Sequence, residues 1–268
     1  MAPPKGGIIG KILDEGGSMK IIRFEQKGKV YWGSLHEGTI YLLSGDIFTG
    51  ATETKEKFVL GEVKVLPPVL PSKIVGIGLN YRKHIEESPF DPPEVPMFFL
   101  KPPTSVIGHL DHIVLPEDSK RVDYEGEVGV VIGKKARNVK ESEAMNYILG
   151  CTIVNDVSAR DFHKQDNSFA RSKGTDTFCP FGPVIVTGLN PGNLKIETRL
   201  NGKTVQSSNM SDLLFKTEHL ISFVSKYMTL LPGDLIATGT PSGIGPMKKG
   251  DVVEVEVEGI GILKNPVS

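Results

Sequence analysis

Two glutamates stand at the start of an apolar run near the middle of the chain. The segment Asp-Tyr-Glu-Gly-Glu at residues 123–127 leads directly into Val-Gly-Val-Val-Ile. Because side chains alternate between the two faces of a strand, a strand here places Glu125 and Glu127 on one face, about 7 Å apart. Two like charges at the entrance to a core are costly unless a cation neutralises them. Spacing alone leaves an alternative, in which both glutamates are exposed or pair with Lys134 and Lys135.

A third carboxylate ends another apolar run, since Asp156 follows Ile-Val-Asn at residues 153–155. Three carboxylates without a neighbouring Cys or His cluster form a ligand set of hard oxygen atoms. Such a set suits Mg²⁺, with Mn²⁺ or Ca²⁺ as substitutes, and water or substrate oxygens would complete the coordination shell. We therefore predict a metal site formed by Glu125, Glu127 and Asp156.

Two other positions carry groups suited to acid–base or electrostatic catalysis. Lys173 lies among glycine and small polar residues, where an exposed lysine is the simplest interpretation. The functional alternative is a cation beside the metal that holds a substrate carboxylate. His84 and Glu87 are three residues apart, so a helix makes them neighbours on one face. A carboxylate that polarises an imidazole makes it a better base toward water, although exposed pairs with this spacing are common.

The glycine-rich segments exclude two common nucleotide-binding motifs. Gly76 and Gly78 lack the third glycine of a dinucleotide fingerprint. The segment 239–245 contains no Gly-Lys-Ser/Thr, so it is not a phosphate-binding loop. Its glycines and prolines indicate a turn that offers backbone N–H groups and Thr240 to an anion.

The elements that must position these groups are mostly short strands. Residues 20–24, 30–33 and 39–43 are typical of strands separated by hairpin turns. A proline-rich linker at 67–71 indicates a boundary. We expect a small β-rich N-terminal domain at 19–70, a larger domain at 71–268, and a leader or a segment added for expression at 1–18. Helices are predicted at three places, and the fold class is a β-rich α+β fold. The predicted helices cover residues 81–87, 141–149 and 217–229, the last with Thr217 as a cap.

Composition excludes several functional classes. The 31 basic and 32 acidic side chains leave a net charge of −1, so no nucleic-acid partner is expected. No apolar run is long enough for a membrane span, and no signal peptide is evident. The two cysteines, Cys151 and Cys179, lie in apolar surroundings, which predicts buried free thiols and a reducing, cytoplasmic location.

Several motifs together resemble the fumarylacetoacetate hydrolase superfamily, in its branch of acylpyruvate hydrolases and 2-hydroxyhepta-2,4-diene-1,7-dioate isomerases. They follow the family order from about residue 74 to the C-terminus. The matching segments are residues 78–84, 99–102, 123–127, 155–161, 173–183 and 232–241.

The resemblance implies a mixed β-roll catalytic domain, a homodimer and a 2-keto acid substrate. It assigns Glu125, Glu127 and Asp156 to the metal. The other roles that it implies are a water-activating pair on a lid, substrate contacts beside the metal, a lid-side lysine and an arginine near the substrate carboxylate. These fall on His84 and Glu87, on Lys173 and Thr240, on Lys101, and on Arg160, respectively.

Two departures from the family pattern affect specificity. His163 stands where many relatives have Gln, which changes a hydrogen bond available to the substrate. The lid loop at 86–96 carries extra prolines and Phe90, so the family pattern does not define its length, its closure or the specificity that depends on them.

The leading functional hypothesis is Mg²⁺-dependent hydrolysis of a C–C bond in an acylpyruvate-like 2,4-diketo acid. Three alternatives share the metal site. They are an isomerase or decarboxylase acting on a hydroxy-dienedioate or oxaloacetate, a dehydratase of a 2-keto-3-deoxy sugar acid, and a non-catalytic protein that binds a metal and a keto acid. The site chemistry is common to all of them, so the lid around His84 must separate them.

Overall fold

The computed structural model describes residues 17–87 and 91–268. Most of the predicted leader at 1–18, and Phe90 with its two preceding residues in the lid loop, lie outside the described residues. The described chain is rich in strands, as predicted. The strands are β1 Lys20–Gln26, β2 Lys29–His36, β3 Thr39–Asp46, β4 Gly50–Val59, β5 Lys64–Leu66, β6 Ile74–Gly78, β7 Met97–Lys101, β8 Val106–Ile107, β9 Val122–Tyr124, β10 Gly126–Ile132, β11 Ile148–Asn155, β12 Ser158–Ala159, β13 Cys179–Val186, β14 Lys195–Leu200, β15 Lys203–Asn209, β16 Leu235–Ala237, β17 Gly245–Pro246, β18 Val252–Val257 and β19 Gly261–Pro266.

Helices occupy a small part of the described chain. The α-helices are α1 Arg82–Glu86, α2 Arg160–Asp166, α3 Phe169–Gly174 and α4 Thr217–Tyr227. The 3₁₀ turns are Leu60–Glu62, Pro103–Ser105, Glu141–Tyr147, Pro191–Asn193 and Met210–Asp212. Across residues 17–87 and 91–268, no helix is long and apolar enough to cross a membrane.

The helix predictions were partly wrong. Helices at 81–87 and 217–229 are confirmed as α1 and α4. The predicted helix at 141–149 is instead a 3₁₀ segment, because Ile148 already belongs to β11 and pairs with Ile132. The cap assignment was also wrong, since Lys216 occupies the N-cap position and the buried hydroxyl of Thr217 has no partner in the described residues.

One large sheet forms the centre of the molecule. Its strands lie in the order β4-β3-β2-β1-β13-β11-β10-β16-β6-β7, with β5 beside β1 and β8 beside β13. The pairing of β1 with β13 joins the N-terminal hairpins to the rest of the sheet. A three-stranded sheet, β12-β9-β17, and a four-stranded sheet, β15-β14-β18-β19, complete the strand arrangement.

The central strand β10 explains where the core lies. All seven of its residues are buried, because β11 and β16 pair with its two edges while other side chains cover its faces. A continuous apolar run of this kind is typical of a strand buried on both sides. The candidate carboxylates Glu125 and Glu127 lie at the N-terminal end of this buried strand.

Candidate metal and substrate site

Backbone contacts hold two of the candidate metal ligands side by side. Glu125 lies between β9 and β10, and Asp156 directly follows β11. The N–H of Asp156 donates to the carbonyl of Glu125 at 2.8 Å. The N–H of Glu125 donates to the side-chain oxygen of Asn155 at 2.9 Å. The pairing of β10 with β11 thus brings together two carboxylates from distant parts of the sequence.

The three predicted metal ligands form one cluster. Carboxylate oxygens of Glu125, Glu127 and Asp156 lie within 4.8 Å of one another. Their exposed fractions are 5%, 1% and 1%, so the alternative of two exposed glutamates is excluded. The reasoning from strand alternation was incomplete, because Glu125 lies at a break between strands while Glu127 belongs to β10.

Two buried lysines and one arginine contact this cluster. Lys173 donates to Glu125 at 2.8 Å and to Asp156 at 2.5 Å. Lys101 donates to the other carboxylate oxygen of Asp156 at 2.5 Å. Arg160 donates from its guanidinium to Glu125. Among residues 17–87 and 91–268 these cations are the partners of the cluster, so the pairing with Lys134 and Lys135 is wrong.

Glu127 differs from its two neighbours because no cationic side chain in the described residues contacts it. Its carboxylate accepts one hydrogen bond, from the N–H of Gly239 at 2.8 Å. Burial, followed by the negative charges of Asp156 and Glu125, raises the pKa of Glu127 well above its usual value. Burial acts the same way on Glu125, but Arg160 and Lys173 outweigh it and lower the pKa of that carboxyl.

The lack of a cationic partner for Glu127 in the described residues is consistent with a site for a divalent cation. The cluster offers oxygen donors only, which are the ligands that Mg²⁺ and Mn²⁺ prefer. A cation beside Glu127 would supply the counter-charge that its burial requires. The donor set is therefore chemically suited to a hard divalent metal ion.

Local chain geometry explains how Lys173 reaches the cluster. Asn167 adopts a left-handed conformation, with φ of 49°, which ends α2. The hydroxyl of Ser168 then accepts from the N–H of Ala170 and caps α3, on which Lys173 lies. The ammonium of Lys173 sits 4.6 Å from the ring centroid of Phe99, a favourable cation–π distance. Neither short helix was predicted from the sequence.

A glycine makes room for that aromatic ring. Gly76 on β6 lies opposite Phe99 on β7, and a Cβ at Gly76 would meet the ring at 2.3 Å. Any side chain at Gly76 would therefore displace the ring that supports Lys173. Gly76 and Gly78 therefore allow side chains of β7 to pack closely against β6. This packing role agrees with the absence of a dinucleotide-binding motif at these glycines.

A cavity of about 760 Å³ opens onto the cluster. Glu125 and Glu127 lie on its surface, together with the predicted residues His84, Glu87, Arg160, Lys173 and Thr240. The remaining lining residues are Ile77, Gly78, Leu79, Met97, Phe99, Arg121, Asp123, His163, Asn167, Phe169 and Ile244. Lys101 does not line the cavity. It is buried against Asp156 and also donates to the carbonyl of Val157 at 3.3 Å.

His84 is half-buried at the cavity, and its Nδ1 has no hydrogen-bond partner in the described residues. Burial is the largest influence on this imidazole and lowers its pKa, so the ring is neutral near pH 7. Glu87 accepts a hydrogen bond from the N–H of Gly243 at 3.2 Å. No hydrogen bond joins His84 to Glu87 in the part of the chain that the structure describes.

Thr240 is held from two sides. Its hydroxyl donates to the carbonyl of Gly126 at 3.0 Å and accepts from Gln206 at 2.9 Å. Gln206 also accepts from the N–H of Gly126 at 3.0 Å. The only hydroxyl proton of Thr240 is therefore engaged with the protein. Sequence reasoning missed Gln206, because it lies on β15 in a separate sheet, 34 positions before Thr240.

Asp123 is a second residue that sequence reasoning did not assign. It is fully buried and accepts hydrogen bonds from both Arg121 and Arg160. The sequence offered a reason to consider Asp123, since it begins the same motif as Glu125 and Glu127. His163 also lies on the cavity, with its ring centroid 4.3 Å from that of Phe169.

Comparison with known proteins gives two adjoining family matches. The family described as fumarylacetoacetate (FAA) hydrolase, C-terminal, matches residues 73–268. A second family, described as Rv2993c-like, N-terminal, matches residues 19–68. The first match covers most of the chain and includes every residue of the carboxylate cluster.

Individual relatives are similar in sequence or in structure. The mitochondrial oxaloacetate tautomerase Fahd2a of Rattus norvegicus is 44% identical over 218 residues, covering 77% of this chain and 70% of that protein. The crystal structure of 2-hydroxyhepta-2,4-diene-1,7-dioate isomerase from Mycobacterium marinum has a TM-score of 0.87 and 40% identity, with coverages of 93% and 98%.

A more distant structure contains a metal and a small ligand. The maleylpyruvate hydrolase of Sphingobium sp. SYK-6, solved with manganese(II) and pyruvate, has a TM-score of 0.77 and 27% identity, covering 93% of this chain and 98% of the other. These three proteins carry hydrolase, isomerase and tautomerase names, and the two solved structures among them share the fold of this chain. The sequence, the fold and the carboxylate cluster agree, and the chain is an enzyme that belongs to the fumarylacetoacetate hydrolase family.

Proposed function

We propose that this enzyme interconverts the keto and enol forms of a small 2-oxo acid, with Mg²⁺ bound by Glu125, Glu127 and Asp156. One observation carries the proposal. A neutral imidazole, His84, and a buried ammonium, Lys173, line the same cavity as Glu125 and Glu127 of the carboxylate cluster. Such a site can accept a proton from carbon and stabilise the negative charge that remains on the substrate.

The roles of the side chains follow from their contacts. A divalent cation at the cluster would act as a Lewis acid toward the 2-oxo group. His84, a neutral imidazole that lines the cavity, would take the proton from C3 of the substrate. Lys173 stays charged, since Asp156 and Glu125 outweigh the effect of burial and raise its pKa. Its ammonium would stabilise the developing oxyanion until the proton returns to carbon or to oxygen.

The relatives support proton transfer over bond hydrolysis as the first choice. Of the three relatives described above, those at 44% and 40% identity carry the names of a tautomerase and an isomerase, whose reactions move protons without consuming water. The hydrolase among the three is 27% identical. This ordering revises the leading hypothesis from the sequence, which was hydrolysis.

Hydrolysis of an acylpyruvate remains a second candidate because His84 and Glu87 both line the cavity. A water held between them could attack a second carbonyl. In the structure Glu87 contacts Gly243 instead, so the pair would have to form when substrate binds. Product analysis with acetylpyruvate tests this candidate, because hydrolysis releases acetate and pyruvate, and an absence of both products rejects it.

The primary test follows the enol of oxaloacetate by its ultraviolet absorbance in the presence of Mg²⁺. We expect the enzyme to accelerate the loss of enol, and His84→Ala to remove most of that acceleration while metal binding is retained. Parallel assays with oxaloacetate and with a 2-keto-3-deoxy acid test decarboxylation and dehydration. A wild-type protein that accelerates none of these reactions would support a non-catalytic role in binding a metal and a keto acid.

We also propose the broader organisation expected from the sequence: a homodimer located in the cytoplasm, with a domain boundary near residue 70. The two adjoining family matches, at 19–68 and 73–268, support a boundary at this position. Size-exclusion chromatography with light scattering tests the oligomeric state.

A further inference from the structure

A second arginine lines the cavity without contacting the carboxylate cluster. Arg121 donates from Nε and Nη2 to the two oxygens of Asp123, at 2.9 and 3.1 Å. A bidentate contact of this kind fixes the plane of the guanidinium. Nη1 has no partner in residues 17–87 and 91–268, and 53% of the side chain is exposed. Arg121 therefore presents free N–H groups from a fixed position in the cavity.

Asp123 sets the relative positions of two arginines. It also accepts a 2.9 Å hydrogen bond from Nε of Arg160, and the backbone N–H of Arg160 donates to the carbonyl of Arg121 at 2.9 Å. Arg160 directs its remaining contact to Glu125, at the metal end of the cavity. In the described residues each guanidinium leaves Nη1 without a partner, but Arg160 also contacts the candidate metal ligand Glu125, whereas the side chain of Arg121 contacts only Asp123.

A substrate bound at the carboxylate cluster through its 2-oxo acid end presents its other end to the rest of the cavity, which Arg121 lines. A second carboxylate is the group that matches the free N–H donors of a guanidinium in charge and geometry.

We propose that Arg121 binds the second carboxylate of a 2-oxo dicarboxylate and that it sets a preference for dicarboxylates over monocarboxylic 2-oxo acids. The inference rests on the proposed function, because the 2-oxo acid end must lie at the carboxylate cluster for the distal group to reach Arg121. His163 and Asn167 line the same cavity and add polar groups around the substrate.

Two four-carbon acids provide a matched pair of ligands. Oxaloacetate has a carboxylate where 2-oxobutyrate has a methyl group, and both carry the same 2-oxo acid end. Dissociation constants of each acid are measured by titration calorimetry at saturating Mg²⁺ for the wild type and for Arg121→Gln. Lys120→Gln removes an exposed positive charge at the adjacent position, outside the cavity lining, and serves as the control.

We expect Arg121→Gln to weaken oxaloacetate binding on the order of 10- to 100-fold, the usual effect of losing a charge-assisted contact. Binding of 2-oxobutyrate should stay within about twofold, and Lys120→Gln should change neither. Equal weakening of both acids would mean that Arg121 only positions Asp123 and Arg160, and no weakening of either would also overturn the proposal. In both cases the proposed function would stand. A wild type that binds neither acid with Mg²⁺ would overturn both.

Discussion

The backbone N–H of Asp156 lies 2.8 Å from the carbonyl oxygen of Glu125, and this contact joins two of the candidate metal ligands. Asn155 completes the arrangement by accepting the N–H of Glu125 through its side chain. Strand pairing and this side-chain contact therefore fix the positions of both ligands. Prior positioning of this kind reduces the conformational cost of binding a metal.

Asn155→Ala should weaken Mg²⁺ binding on the order of 10- to 100-fold, because supporting contacts of this kind hold metal ligands in place. Calorimetric titration of Mg²⁺ measures the change. Asn190, which accepts a local hydrogen bond from Gly192 in an exposed turn, provides a matched control through Asn190→Ala. Equal affinities for the wild type and Asn155→Ala would show that the loop at Glu125 does not need this support.

Glu127→Gln and Glu125→Gln should change the stability of the metal-free protein in opposite directions. Glu127 is buried with no cationic partner in the described residues, so removal of its charge should stabilise the protein by about 1 kcal/mol or more. Glu125 contacts Lys173 and Arg160, which would keep Asp156 and Asp123 as partners, so its replacement removes one charged contact from each and should cost about 1–3 kcal/mol. Chemical denaturation in the presence of a chelator measures both effects.

Both variants should lose Mg²⁺ affinity, although their stabilities should change in opposite directions relative to the wild type. A Glu127→Gln protein less stable than the wild type would show that the uncompensated charge has been placed on the wrong residue. Retention of Mg²⁺ binding by either variant would contradict its assignment as a ligand.

The rate of enol loss should fall at acid pH, as His84 becomes protonated. Burial lowers the pKa of His84 below its ordinary value of 6.5, so the neutral, proton-accepting form predominates at neutral pH. Consequently kcat/KM should be constant at pH values above the lowered pKa of His84 and should decline as the pH falls through that pKa. His84→Ala should reduce kcat/KM by about 10²- to 10⁴-fold.

The pH profile distinguishes a base from a structural residue. At saturating Mg²⁺, the small residual activity of His84→Ala should lack the decline that His84 causes. An unchanged acid limb in the variant would assign that limb to another group.

The two cysteines should be unreactive in the folded protein. Burial raises the pKa of Cys151 and of Cys179 to about 12, and both are free thiols with no measurable exposure. A thiol reagent at pH 8 should modify neither residue within minutes, and both should react at once after denaturation. Rapid modification of the native protein would show that the core around β11 and β13 opens readily.

The sequence was sufficient to predict the carboxylate cluster and the β-rich fold. A buried strand beginning at two glutamates and a second ending at Asp156 constrained the site, because paired strands bring their ends together. Lys173 could not be placed from its neighbours in sequence. Its burial depends on two short helices, whose six or seven residues are too few for a clear periodic signal.

Further features depend on contacts between distant parts of the chain. Gln206 and Gly126 are 80 positions apart in sequence, and Arg160 and Asp123 are 37 apart. No local sequence pattern therefore predicts either hydrogen bond. The predicted helix at 141–149 failed for a related reason. Ile148 pairs with Ile132, and this strand pairing overrides the local helical preference of the segment.

The most direct test of metal-dependent catalysis is the rate of oxaloacetate enol loss for the wild type and Glu127→Gln, each with a chelator and with saturating Mg²⁺. We predict that Mg²⁺ restores the chelated wild type to full activity. Glu127→Gln should remain folded and stay near the uncatalysed rate in both conditions. A Glu127→Gln enzyme that regains wild-type activity with Mg²⁺, or a wild type that is equally active in the chelator, would contradict the assignment of metal-dependent catalysis to this cluster.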